Sequence, residues 1–161
     1  MPDNPKILVL IFQGPYEPWL TIRKRGQEAT WAQPNEFADI IHVSGRPVPK
    51  AMHTIGEWYY SLKWHRWQWP GYLVLMTEMI WKRLLLRWMP KVSVFPTETG
   101  ENWIVEMPDF AALMGHKNLS AIIHSLSHNY NFLVTTITSS YLNLEVLSTA
   151  LKPKLTILPS N

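Results

Sequence analysis

From Gly115 to Leu151 the chain reads helix, strand, polar corner, helix, and few architectures accept that order. Residues 116–129 are amphipathic, with Leu119, Ile122, Ile123, Leu126 and Tyr130 on the side expected to be buried. The apolar run Tyr130-Asn131-Phe132-Leu133-Val134-Thr135-Thr136 follows as a strand, expected to lie centrally in its sheet. It ends in Thr138-Ser139-Ser140, and a second helix over 142–151 begins at once and stops at Pro153. Ser139 or Ser140 is the expected N-cap of that helix, with Glu145 favourable in its first turn. Ligands of open α/β sheets sit at strand-to-helix corners of this kind, where backbone N–H groups and small hydroxyls point out of the carboxyl edge.

Strands and helices alternate along the rest of the chain. Residues 6–12 form an uninterrupted apolar run, the mark of a strand buried on both faces in a parallel sheet. Gln13-Gly14-Pro15 is a turn, and 19–32 reads as a helix with a basic side, Arg23-Lys24-Arg25. A short strand over 39–43 ends in Ser44-Gly45-Arg46-Pro47. Residues 48–90 form a Trp-rich insertion whose second part, 71–89, is the longest helical pattern. Short strands are expected at 92–95 and 103–106, and a last one at 155–158. This alternation predicts a single α/β domain over 1–161, Rossmann-like, with a mostly parallel central sheet flanked by helices.

Composition narrows the functional classes. A net charge of +3 permits an anionic ligand but gives no strong nucleic-acid signal. The absence of cysteine excludes disulfides and thiolate metal sites and fits a reducing, cytoplasmic setting. Met-Pro-Asp-Asn-Pro lacks the basic start and apolar core of a signal peptide. There is no Gly-x-Ser-x-Gly elbow, no phosphate-cradling glycine loop and no dinucleotide fingerprint. Only three aspartates exist, Asp3, Asp39 and Asp109, so paired-carboxylate chemistry has few candidates.

Three segments carry a resemblance, in order. Ile7-Leu8-Val9-Leu10-Ile11 is followed by Arg25-Gly26-Gln27-Glu28-Ala29-Thr30-Trp31. Next comes Ile40-Ile41-His42-Val43-Ser44-Gly45. Last is His116-Lys117-Asn118-Leu119-Ser120-Ala121, leading to Tyr130-Asn131-Phe132-Leu133. Together they resemble the N-terminal, nucleotide-binding half of GT-A-fold glycosyltransferases of the galactosyltransferase type. The resemblance implies a nucleotide-sugar partner and glycosyl transfer. That family ends the corresponding strand in Asp-x-Asp, whereas Ile137-Thr138-Ser139 stands here. Neutral hydroxyls do not replace the charged oxygens a divalent cation wants, which argues against a metal cofactor. Family members also continue into an acceptor-binding half that supplies the general base. The chain therefore reads as a minimal, truncated or degenerate member, or as sharing the fold alone.

The substrate-binding residues expected on this reading come from the sheet corners. Phe12, Gln13 and Gly14 would face a base or ribose. Arg46 would meet phosphate beside Ser44, and Thr138, Ser139 and Ser140 would donate to phosphate oxygens. Arg25 and Lys117 occupy the family's basic positions, and no catalytic base is identified. His116, His124 and His128 share a helix side, but without a third ligand of the right reach they are expected to face solvent. Trp64, Trp67 and Trp69 are expected to fill the core or a homo-oligomer interface. Carbohydrate stacking ranks second, and membrane-surface contact through 71–89 third. The rival to an enzyme is a non-catalytic binding or assembly protein that keeps the fold without the metal motif.

Overall fold

The structure is a computed structural model that describes residues 5–47, 49, 91–109 and 114–155. The expected Trp-rich stretch 48–90, with its helix over 71–89, lies outside the described residues, as do 156–158 of the expected last strand.

Strand β1 (Ile7–Phe12) is buried along its whole length, as its apolar run requires. It pairs in parallel with β2 (Ala38–Arg46) on one side and β5 (Phe132–Ile137) on the other. Beyond β2 lies β4 (Gly100–Pro108), also parallel, and β3 (Val92–Thr97) closes that end antiparallel to β4. The sheet is thus mixed but mostly parallel, in the order β3-β4-β2-β1-β5. The antiparallel pair is a hairpin turned at Glu98-Thr99, with Gly100 at φ 134°, a backbone state that favours glycine.

Both sheet faces are covered. On one, Leu8, Leu10, Phe12, Ile41, Val43, Trp103 and Val105 form a core against α2 (Met114–Ser125) through Ala121. On the other, Ile7, Val9, Ile11, Ala38 and Ile40 pack with Ala32, Trp31 and Phe37, and with Leu144, Leu147 and Leu151 of α3 (Leu144–Leu155). The parallel strands follow the order β4-β2-β1-β5, so chain progression reverses between β1 and β5. That reversal is compatible with a Rossmann-like fold.

Several expectations are corrected. The segment expected to lie centrally, Phe132 to Thr136, is a sheet margin among the described residues. Its alternating half-buried and exposed positions suit an edge, whereas β1, apolar on both faces, lies inside the sheet between β2 and β5. The helix expected over 19–32 is an α-helical turn, α1 (Trp19–Ile22), that passes into a π-helical segment, Arg23–Gln27. There the Glu28 N–H donates to Arg23 O and the Ala32 N–H to Gln27 O, both five residues back. An Arg23–Glu28 ion pair spans the same five residues. Strand β2 extends through Arg46, so Ser44 and Gly45 belong to the strand rather than to a turn. Helix α3 starts later than expected and runs past Pro153 to Leu155. Pro153 has no N–H to donate to the Thr149 carbonyl four residues back. The cap is Asn143, whose Oδ1 accepts from the Val146 N–H at 3.1 Å, and neither Ser139 nor Ser140 fills that role. Glu145 does sit in the first turn.

The largest correction concerns α2. Its buried residues are Lys117, Ser120, Ala121 and Ser125, while Leu119, Ile123 and Leu126 face outward. His124 does not point freely to solvent. Its ring meets the fully buried Trp103 edge-on, centroids 4.6 Å apart, and His128 stacks beyond it. Small residues let the helix approach the sheet closely, and the anchor that sets its rotation is Lys117.

Candidate functional site at the carboxyl edge

The corners after β1, β2 and β5 do meet. Register places Phe12 beside Val43 and Ile137, and the ladder continues one step, with the Gln13 N–H donating to Val43 O at 2.9 Å. The Thr138 hydroxyl donates to Phe12 O at 3.2 Å, tying the tip of β5 to the end of β1. Gln27 reaches the same tip from the π-helical segment, its amide donating to Ile137 O and Ser140 O at 3.3 and 3.4 Å. The reversal point of the sheet is therefore a built, polar corner.

Beneath it lies a buried ion pair. Lys117, only 2% exposed, sends its Nζ to Asp109 Oδ1 and to Gln13 O, each at 3.0 Å. Asp109 Oδ2 accepts from the Gly45 N–H at 3.1 Å, and the Asp109 N–H donates to Arg46 O at 3.0 Å. Gly45 is required here, because a Cβ would stand 2.8 Å from Asp109 Cβ and 2.9 Å from its Cα. One carboxylate and one ammonium thus join the ends of β1, β2 and β4 to the first turn of α2. Partnering of this kind is what makes a buried charge tolerable.

The candidate residues separate by exposure. Phe12 belongs to the core and cannot present its ring to a base. Gln13, Ser44 and Thr138 are buried, and Lys117 is consumed by Asp109, so it supplies no charge to a phosphate. Gly14 is half-buried against Trp19, where a Cβ would come within 2.9 Å of the indole. The reachable groups are Arg25, Arg46, Ser139 and, in part, Ser140. Arg46 is 62% exposed and pairs with Glu106 at 3.3 Å. Ser140 holds the turn through its N–H to Ile137 O.

Asp109, Gln27 and His42 were not singled out as site residues by the sequence. Asp109 follows an apolar strand at a strand-to-helix corner, the same signal that marks Thr138. Gln27 and His42 carried no such signal, because their burial depends on the π-helical segment meeting the tip of β5 and on the sheet's own packing, which join residues distant in sequence. Among the described residues three buried polar atoms here lack a hydrogen-bond partner: Gln13 Oε1, Gln27 Oε1 and His42 Nε2. His42 is pushed down to about 3 by burial and, secondarily, by the Arg23 charge, so it stays neutral.

Thr138 and Ser139 offer neutral hydroxyls, while the carboxylates brought to this edge, Asp109 and Glu106, are engaged by Lys117 and Arg46. No cluster of three or more His, Asp or Glu suited to a metal occurs among the described residues. No helix among them is long and apolar enough to cross a membrane. Compared with family models, curated proteins and solved structures, the chain matches none.

Proposed function

We propose that the carboxyl edge between β1 and β5 binds the nucleoside-diphosphate part of a sugar nucleotide, and that the chain is a GT-A-like, Rossmann-type glycosyltransferase module. The observation that carries this reading is the reversal of strand order at β1/β5, where the Gln13-Gly14 and Thr138-Ser139-Ser140 corners come together. Open α/β sheets bind ligands at that point because the two flanking crossovers diverge there and leave a crevice. Two features fit a nucleotide. Arg25 and Arg46 stand exposed to meet phosphate, and Ser139, free of capping, offers a hydroxyl.

The chemistry on this reading is positioning plus charge stabilisation of a departing diphosphate. Arg46 and Arg25 take the charge, and Ser139 and Ser140 orient the phosphate oxygens. Lys117 acts from below as a strut. No step is routed through a metal. The test is a thermal-shift and calorimetric screen against UDP, GDP and their sugar conjugates, with and without Mn²⁺. Binding of one nucleotide, weakened at least tenfold by Arg46→Ala, is expected. Silence across the panel would sink the reading.

A second reading, a non-catalytic assembly protein, is favoured by the open margin of β5 and the outward Leu119, Ile123 and Leu126. It predicts a dimer or larger species by light scattering together with no nucleotide response.

A further inference from the structure

We propose that the buried Lys117–Asp109 pair is a positioning device: it sets the spacing of the β1 and β2 corners so that both engage one anionic ligand. This rests on the nucleotide reading above.

Lys117 Nζ has two oxygen partners at 3.0 Å, one on Asp109 and one the main-chain carbonyl of Gln13. Asp109 in turn holds the Gly45 N–H with its second oxygen and the Arg46 carbonyl through its own N–H. Every bond except the ion pair itself ends on backbone, at the last residues of two neighbouring strands. A pair serving stability alone has no need of such ends, since an apolar pair of similar volume does as well or better. Here the charges convert the rotation of α2 into the position of Gln13-Gly14 and Gly45-Arg46.

The same bonds explain two oddities. Helix α2 turns its lysine inward and Leu119 and Ile123 outward, and β2 carries a glycine where a Cβ would strike Asp109. The ladder is also irregular between Gly45 and Arg46, where the register to β4 shifts and Arg46 comes opposite Pro108. That irregularity sits where Asp109 grips the strand, and Arg46 beyond it stays exposed while reaching Glu106 on β4. Arg46 is therefore aimed by Asp109, and the Gln13 corner is held by Lys117. Neither buried charge touches the ligand.

The decisive experiment uses the full chain carrying Lys117→Met with Asp109→Leu, which removes both charges and every side-chain tie while filling the space and leaving the main-chain bond from residue 109 to Arg46 O. Urea unfolding, UDP affinity and residue-resolved amide exchange are measured together. The expected result is an unfolding midpoint near the parent's, UDP affinity lowered at least tenfold, and exchange at Gly45 accelerated at least tenfold. A folded double variant that binds UDP as the parent does, with Gly45 still protected, overturns the proposal. Should the double variant fail to fold, Asp109→Asn decides. It keeps an acceptor for Lys117 but presents an amide donor to the Gly45 N–H. Faster exchange at Gly45 with protection kept at Gln13, and weaker UDP binding, is then expected; parental exchange and affinity overturn the proposal. If the parent chain binds neither UDP nor inorganic pyrophosphate, the nucleotide reading falls by itself, and the exchange measurement still decides whether the pair holds the corners.

Discussion

His42 shows how far one residue's behaviour depends on where the chain places it. In sequence it is a polar interruption between Ile41 and Val43. In the fold it is buried opposite Ile11, its Nε2 without a partner among the described residues. Because burial holds its native pKa near 3, against 6.5 for a free imidazole, the unfolded chain takes up the proton first. The contribution is therefore intact above pH 6.5 and is lost as pH falls from 6.5 toward 3, at up to about 1.4 kcal/mol per pH unit. His42→Leu should flatten this acid limb in urea unfolding followed between pH 7 and pH 5. An unchanged slope would show that other groups carry the effect. His124 is lowered as well, first by burial, then by the neighbouring His128 and against Glu101, which adds to the same limb. Tyr130 moves upward through burial and its hydrogen bond to Asp39. At Gly45 the constraint is steric. Gly45→Ala forces Asp109 aside and should cost about 1–3 kcal/mol, read as a lowered unfolding midpoint.

At the scale of elements, α2 is the clearest case of tertiary demand overruling pattern. Its 116–129 periodicity was legible, and a helix is there, but its rotation was not. Hydrophobic periodicity finds the buried side only when burial of apolar surface is what orients the helix. In α2 a buried ammonium with two oxygen partners orients it instead, since an unpaired buried charge costs more than exposed leucines gain. Leu126, 73% exposed, should then tolerate serine with a change within about 0.5 kcal/mol. A loss of 2 kcal/mol or more in chemical denaturation would restore the buried-stripe reading. For α3 the corner serines were plausible caps by residue type, yet Asn143, one residue before the helix, makes the bond. Asn143→Ala should cost about 0.5–2 kcal/mol, whereas Ser139→Ala should leave stability unchanged, both read as shifts in urea midpoint.

On the scale of the molecule, the order β3-β4-β2-β1-β5 puts β1 inside the sheet and β5 at its margin among the described residues. Leu10 and Leu133 are therefore unequal although they lie nearly opposite in register, Leu10 facing Thr135 and Leu133 facing Leu8. Leu10→Ala, at a site with no exposure, should cost about 2–5 kcal/mol, and Leu133→Ala, about a third exposed, well under half of that. Equal urea midpoints for the two variants would mean that β5 is covered as deeply as β1. Among the described residues the β5 margin carries no charge, proline or bulge, the features that discourage a strand edge from pairing with another strand.

Local chemistry by itself determined the strand-helix alternation, the both-faces burial of Ile7–Phe12 and the polar strand-to-helix corner at Thr138-Ser139-Ser140, because each depends on neighbours within a few residues. Only the tertiary structure decided which strand became the margin, which side of α2 turned inward, and that Lys117 is a strut rather than a phosphate ligand. Those outcomes join residues as far apart as Gln13 and Lys117, and no local periodicity encodes where a distant carbonyl or carboxylate will wait for a buried charge.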